Sequence, residues 1–239
     1  MNLDAVWHDL ECGGYEEDLP LWRRLAGQAS GQVLDVGAGT GRVTLDLATR
    51  GAKVVALEIV APLLEALACR TSGLRVQTVL ADARQFSLES RVSLVLVPMQ
   101  TLQLLGGSSG RAAFLRCALE HLEPGGVLVA ALADPLDCRD AEHDLPPPPD
   151  AREILGVRYA SQLLAVVAEG DRAAIHRRRE IIGSAGTREH RDVVVRLDRV
   201  TPDEVAHEAS RAGFRAEPHL FVPQTDTYLG ATVVVLRAP

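Results

Sequence analysis

Nothing in the chain approaches the roughly 20 consecutive apolar residues of a membrane span, and no membrane partner is expected. The opening residues, Met1-Asn2-Leu3-Asp4-Ala5-Val6-Trp7-His8-Asp9, put acids where a secretory signal would put bases, and no apolar stretch follows. Cysteine is sparse and scattered: Cys12, Cys69, Cys117 and Cys138 form no CxxC and no metal-ligand spacing. Inert, reduced thiols in a cytoplasmic protein are therefore expected, with no metal. Lysine is nearly missing: Lys53 stands alone among 25 basic residues, which reads as coding bias. The formal net charge of -7 lacks the basic footprint of proteins that live on polyphosphate, so no nucleic-acid partner is expected. There is no internal repeat, and no low-complexity tract beyond the four prolines 146–149.

What is present is ordinary globular composition, 47% hydrophobic and 24% charged, over 239 residues, enough for one large α/β domain or two small ones. Up to residue 133 short β-rich runs alternate with helical stretches. Strands are expected at 32–36, 53–57, 74–80, 92–97 and 126–133, and helices at 40–50, 62–70 and 111–122. Helix 40–50 shows an apolar stripe at Val43, Leu47 and Ala48 and a stop at Gly51. The nearly all-apolar run 92–97 suits a strand covered on both faces. Such alternation implies a parallel sheet with right-handed crossovers.

Near Asp134 the rhythm breaks into a polar, then proline-stiffened loop. Three β-type segments come next without helices, at 158–168, 172–182 and 192–200, the first two joined by a tight turn at Gly170-Asp171. They are expected to form an antiparallel insertion, at 137–200, serving as a lid. Thr201-Pro202-Asp203-Glu204 is a capping box that starts a helix ending at Gly213. Strands 214–222 and 227–236 then close the chain as an antiparallel hairpin, since four intervening residues are too few for a parallel crossover.

The most informative stretch is Val33-Leu34-Asp35-Val36-Gly37-Ala38-Gly39-Thr40-Gly41-Arg42. A buried strand enters a glycine turn and a helix begins at once. Glycines allow positive φ and close approach of a ligand, and the helix start offers free N–H groups. A dinucleotide fold spaces its glycines G-x-G-x-x-G; here they fall at 37, 39 and 41, with Arg42 next. Glu58 comes just after the second strand, where a carboxylate can accept from both hydroxyls of a ribose. Asp82 ends the third strand in Leu80-Ala81-Asp82-Ala83. All three features fall at the carboxyl edge, where open α/β sheets bind ligands. For each there is a plainer reading: a turn kept for packing, a solvated strand-end acid, and an acid capping the next helix.

The run 33–42, then Glu58, then Ala81-Asp82-Ala83, then Leu122-Glu123-Pro124-Gly125-Gly126 resembles the ordered motifs of class I S-adenosylmethionine-dependent methyltransferases, small-molecule branch. The resemblance covers residues 30–135 and 200–236. It implies a Rossmann-like seven-stranded sheet of order 3-2-1-4-5-7-6, strand 7 antiparallel, in a single domain with a helical cap at 1–30. By the family pattern Gly37, Gly39 and Gly41 pass beside the methionine part of S-adenosylmethionine. Asp35 orders the turn and reaches the amino group through water, Glu58 binds the ribose, and Asp82 and Ala83 bind adenine. Ala38, Arg42, Ile59 and Pro98 complete the expected cofactor set. The activity implied is direct methyl displacement onto an N, O or C atom of a small-molecule acceptor.

At the reacting end, Pro98-Met99-Gln100-Thr101-Leu102-Gln103-Leu104-Leu105, the resemblance excludes more than it identifies. The acid-or-amide plus Pro-Pro-aromatic motif of base-amine methylation is missing, as are the Pro-Cys nucleophile of cytosine-carbon methylation and the acid of metal-dependent catechol enzymes. Relatives acting on small amines often carry His where Leu104 stands. Gln100 and Gln103 are candidates for orienting substrate, or for hydrogen bonding at a helix start. Tyr15 is a candidate to lie against cofactor or substrate, or to pack on the sheet edge. His143, His176 and Tyr15 are the candidates for proton removal, and Tyr159 and Gln162 further pocket candidates. The basic run Ile175-His176-Arg177-Arg178-Arg179-Glu180 reads as a solvated, acid-paired face, or as an anion-recognising wall. Asp134, Asp137, Asp140, His143 and Asp144 read as a solvated loop rather than a metal cluster. Two other functions compete: a catalytically silent S-adenosylmethionine- or partner-binding protein, and an NAD-dependent oxidoreductase, which Arg42 in place of a third glycine disfavours.

Overall fold

A computed structural model describes residues 2–138, 148–184, 186–225 and 228–239, with the side chains of Asp137 and Cys138 left aside. His143, Asp140 and Asp144 lie outside the described residues. In chain order the elements are α1 (Leu3–Cys12), α2 (Leu19–Gln28), β1 (Val33–Val36), α3 (Arg42–Thr49), β2 (Val54–Glu58), α4 (Ala61–Ala68) and β3 (Val76–Leu80). Next come β4 (Val92–Val97), α5 (Gly107–His121), β5 (Leu122–Leu132), β6 (Asp150–Ile154), β7 (Val157–Glu169), β8 (Arg172–Ile182) and β9 (Arg188–Asp198). The chain closes with α6 (Pro202–Ala212), β10 (Arg215–Val222) and β11 (Ala231–Arg237).

Two compact units result, Tyr15–Ala133 with Val200–Pro239, and Met1–Gly14 with Asp134–Arg199. The larger holds a seven-stranded sheet in the order β3-β2-β1-β4-β5-β11-β10, the order expected from the sequence. Its first five strands run parallel and β11 runs antiparallel to β5, pairing Val235 with Val129. Period-two alternation sends Leu34, Val36, Val55, Leu57, Val95 and Val97 to one core, packed by Phe114 and Leu115 of α5 and Val205 of α6. The intervening Val33, Val54, Leu94 and Leu96 face the other core, against Trp22 of α2 and Leu47 of α3. The Thr201 capping box is formed as expected, its hydroxyl accepting from the Glu204 N–H.

Several boundaries differ from expectation, β11 starting at Ala231 rather than 227 and β9 running Arg188–Asp198 rather than 192–200 among them, and two of the differences have identifiable reasons. Helix α5 begins at Gly107 rather than 111, because Gly106 at φ 87° supplies the left-handed entry. The chain crosses itself so closely there that a Cβ on Gly110 would lie 1.8 Å from the Leu105 carbonyl oxygen. Strand β5 begins at Leu122, which pairs with Val92; the ladder breaks over Glu123-Pro124-Gly125-Gly126 and resumes at Val127.

The smaller unit contains a four-stranded antiparallel sheet, β6-β7-β8-β9, and helix α1. Sequence patterning predicts three of these strands. The fourth, β6, is short and charged, and joins β7 through Leu155-Gly156, both at positive φ (51° and 77°). A two-residue turn of that kind normally shows Asn-Gly or Asp-Gly, so Leu155 conceals the hairpin. Trp7 of α1 packs edge-on against Tyr159 of β7, ring centroids 5.6 Å apart.

Candidate active site

The glycine turn links β1 to α3 on the larger sheet. Gly37 and Ala38 donate their N–H groups to the Leu57 carbonyl, pinning the turn to the end of β2. At Gly37 (φ 70°) a Cβ would meet the Thr101 side chain at 2.6 Å, and at Gly41 (φ 102°) it would meet Leu67 at 2.3 Å. Both positions thus require glycine for conformation and for room. Packing alone explains these two; it does not explain what the turn does with Glu58.

Glu58 ends β2 and is buried. Its Oε2 accepts the Gly39 N–H at 2.9 Å, and its Oε1 accepts the N–H groups of Ile59 and Val60 at 2.8 and 2.9 Å. Three backbone donors fix the carboxylate, yet about four lone-pair sites leave capacity for a further donor such as a ribose hydroxyl. Ile59 beside it is 59% exposed, an apolar side chain held open at the strand end.

Asp35, inside β1, is almost wholly buried. Its Oδ2 accepts the Thr44 hydroxyl at 2.6 Å, while Oδ1 is buried with no hydrogen-bond partner among the described residues. Burial pushes its pKa up to about 6, against the opposing pull of the Thr44 hydroxyl. An acceptor atom so placed fits an ammonium, or a water relaying to one, because a buried unpaired acceptor is costly. Sequence patterning does not single out Thr44 as this partner; the available signal is a threonine in the first turn of α3, on its buried side.

Arg42, expected in the cofactor set, holds the preceding segment. It pairs bidentately with Asp18 at 2.5 and 2.8 Å, donates to the Tyr15 carbonyl at 2.8 Å, and sits 5.1 Å from the Tyr15 ring centroid. The Tyr15 ring also meets that of Tyr228 at 5.0 Å. Burial, reinforced by the Asp18 carboxylate, pushes the Tyr15 phenol up to about 12, so at neutral pH it keeps its proton.

Asp82 lies just beyond β3 and is gripped by Arg84: Nη2 to Oδ2 is 2.6 Å, and the Arg84 N–H donates to Oδ1 at 2.8 Å. That guanidinium holds the Asp82 carboxyl below the usual carboxylate range. The chain after Asp82 forms a turn closed by an Asp82–Gln85 bridge, not a helix. Ala83 is buried beneath it.

At the end of β4, Pro98 is buried and Met99 adopts φ 53°, a strained geometry for a side-chain-bearing residue. Gln100 is half-buried. Gln103 is buried, with Nε2 donating to the Ala133 carbonyl at 3.0 Å and Oε1 accepting the Ala133 N–H at 3.2 Å. Its amide therefore ties this loop to the end of β5.

In the smaller unit the basic run is paired. Arg177 binds Asp150 and the Ser161 hydroxyl at 2.5 and 2.9 Å, Arg179 binds Glu11 bidentately, and Arg178 binds Asp192. His176 sits in register with Val194. Gln162 lies opposite Arg178. Asp134 pairs with Arg199 at 2.9 Å, and no group of metal-ligating side chains occurs among the described residues. No helix among them is long and apolar enough to cross a membrane.

Residues 33–126 match the family model described as a methyltransferase domain. The cypemycin N-terminal methyltransferase of a Streptomyces species is 31% identical over 141 residues, 59% of this chain and 55% of that protein. The chain thus spans about half the length of the curated relative it matches. Among solved structures, a sugar N-methyltransferase from Streptoalloteichus has a TM-score of 0.80 at 20% identity, covering 99% of this chain and 93% of that one. An S-adenosylmethionine-bound amino pentose methyltransferase of calicheamicin biosynthesis, from Micromonospora echinaspora, has a TM-score of 0.75 at 24% identity, covering 100% and 97%. Residues 33–126 thus match a methyltransferase domain, and the sheet order is the fold shared with these solved methyltransferases.

Proposed function

We propose that this protein transfers a methyl group from S-adenosylmethionine to an amine nitrogen of a small-molecule acceptor. The observation that carries the reading is Glu58, locked by three backbone N–H groups, one of them from the glycine turn. Glu58 would hold the ribose, Asp35 the methionine ammonium, and Asp82 with Ala83 the adenine. The bound cofactor supplies a methyl on a positively charged sulfur, whose bond breaks as the acceptor bond forms. The protein's work is to orient the acceptor in line and keep water out.

Nitrogen is preferred over oxygen on chemical grounds. Residues 98–105 contain no titratable side chain, and the Tyr15 phenol stays protonated at neutral pH. An amine attacks through its own lone pair and releases its extra proton to water afterwards, so orientation by Gln100 suffices. The similar proteins are a cypemycin N-terminal methyltransferase, a sugar N-methyltransferase and an amino pentose methyltransferase. The antiparallel unit is read as the part that selects the acceptor. Cys12, Cys69 and Cys117 form no disulfide, which suits the cytoplasmic setting included in this reading.

The test is a calorimetric titration with S-adenosylhomocysteine, with NAD in parallel, followed by a mass-spectrometric screen of amino sugars and short peptides. Saturable binding of S-adenosylhomocysteine alone, and a 14-dalton gain on an amine (the mass of a CH2 group), supports the proposal. Binding without transfer to any acceptor supports a silent cofactor-binding protein, and NAD binding alone an oxidoreductase.

A further inference from the structure

The parallel strands of the larger sheet sort charge by end. Asp35, Glu58 and Asp82 lie toward or just beyond their carboxyl ends, whereas the residue immediately before β2 is Lys53, before β3 Arg75, and before β4 Arg91. Parallel registry, with Val54 opposite Val76 and Val33 opposite both Val54 and Leu94, sets these three cations along the amino edge. Neighbouring strands are roughly 4.8 Å apart, so the row spans β4 to β3.

Arg23 of α2 and Arg50, just after α3, face the same cavity of about 530 Å3. Its remaining wall is largely small residues, Ala29 and Ala52 among them. Asp46 binds Arg23 bidentately and lies 3.5 Å from Arg50, so one carboxylate serves two cations. Arg75 donates to the Gly51 carbonyl, and Arg91 to that of Leu122 at 3.1 Å. Carbonyls orient a guanidinium without cancelling its charge. Glu123 is the acid that lines this wall, with Asp46 reaching it only through its pairs with Arg23 and Arg50. Five cations against Asp46 and Glu123 leave a formal surplus of three positive charges, in a chain whose net charge is -7.

We propose that this amino-edge cavity binds a small, multiply charged phosphorylated anion, either free pyrophosphate-type or carried on an organic group. A concave, single-sign wall focuses field and concentrates counter-charge. Guanidinium forks match phosphoryl oxygens bidentately. The volume falls in the range of small-ligand sites, roughly 300–1,000 Å3. A rod-shaped nucleic acid would need an extended basic track, and the surplus here is confined to one hollow. The site lies at the opposite end of the strands from Glu58 and stands independently of the methyl-transfer reading.

The experiment is a titration of the full chain with sodium pyrophosphate at 20 mM and 200 mM salt, repeated with adenosine diphosphate. One-to-one saturation at low salt, weakened several-fold at high salt, is expected. Lys53→Glu and Arg75→Glu should each weaken it by about 10-fold or more, while Arg211→Glu on α6 leaves it unchanged; circular dichroism verifies that each variant is folded. S-adenosylhomocysteine affinity, measured on the same variants, should not move, which separates this site from the other. Tighter binding of adenosine diphosphate than pyrophosphate assigns an organic phosphate; equal binding assigns the inorganic group. No saturation at low salt, equal loss in Arg211→Glu, or tighter binding of an oligonucleotide than of either small anion would overturn the proposal.

Discussion

Arg42 grips Asp18 with both ends of its guanidinium, and neither side chain is as much as a tenth exposed. The pair joins the first residue of α3, directly after the glycine turn, to the segment that carries Tyr15. Removing one partner of a buried pair leaves the other charge unpaired, at a cost of roughly 3–5 kcal/mol. Arg42→Ala should therefore destabilise the chain by about that much in urea, and Asp18→Asn by less, since the amide can still accept from Arg42. The double variant Arg42→Met with Asp18→Leu should be more stable than Arg42→Ala. If Arg42→Ala unfolds at the wild-type midpoint, the pair is not holding the segment.

Glu58→Ala removes the carboxylate that the turn and the end of β2 hold in place. Hydrogen bonds to a charged group are worth roughly 1.5–3 kcal/mol, so affinity for S-adenosylhomocysteine should fall by about 10-fold or more. The Ile59 and Val60 N–H groups are only partly buried, so water can replace the acid there, but the buried Gly39 N–H loses its acceptor, so the variant should also lose roughly 1–3 kcal/mol of stability while remaining folded. Unchanged affinity would remove Glu58 from the proposed ribose contact.

Gln103 and Gln100 stand three residues apart and should behave differently. The Gln103 amide is engaged with both backbone groups of Ala133, so Gln103→Ala should cost about 1–3 kcal/mol of stability. Gln100→Ala should leave stability and S-adenosylhomocysteine affinity intact while raising the acceptor KM several-fold. A KM effect confined to Gln103→Ala would reverse these roles.

The alternation of strands and helices and the glycine turn are legible in the sequence because they rest on local signals, periodicity, caps and spacing, whereas the strand order comes from the family resemblance. The strand 92–97 is predicted to the residue because five buried apolar side chains and one buried serine, set between Arg91 and Pro98, admit little else. Strand β6 escapes prediction because its residues are charged and its turn carries Leu155 at positive φ, where sequence offers no cue. The partners of the site are equally hidden. Nothing local joins Asp18 to Arg42, or Gln103 to Ala133; those contacts exist only once the strands are placed. The pairing of Arg177 and Arg179 with Asp150 and Glu11 likewise depends on long-range register, although period two alone puts both arginines on one face.

Asp35 makes stability depend on pH in a defined direction. Its folded pKa of about 6 lies above the ordinary 3.8 because the site buries it. Between those values the native state holds more protons than the unfolded chain, so stability contributed by the protonated acid is complete below about pH 4 and is lost as pH rises through about 6. The shift corresponds to roughly 3 kcal/mol. Asp35→Asn cannot ionise, so it should match wild type near pH 4 and exceed it by about 1–3 kcal/mol above pH 6.5, read from urea midpoints of both proteins across that range. The gain should come with a loss, because the ionised acid is what a methionine ammonium would meet. Wild type should release up to one proton on binding S-adenosylhomocysteine near pH 5.5 and none near pH 8, measured by titration in buffers of different ionisation enthalpy. Asp35→Asn should bind more weakly with no such release. Parallel stability curves for the two proteins from pH 4 to 8 would show that Asp35 ionises in the fold as it does in water.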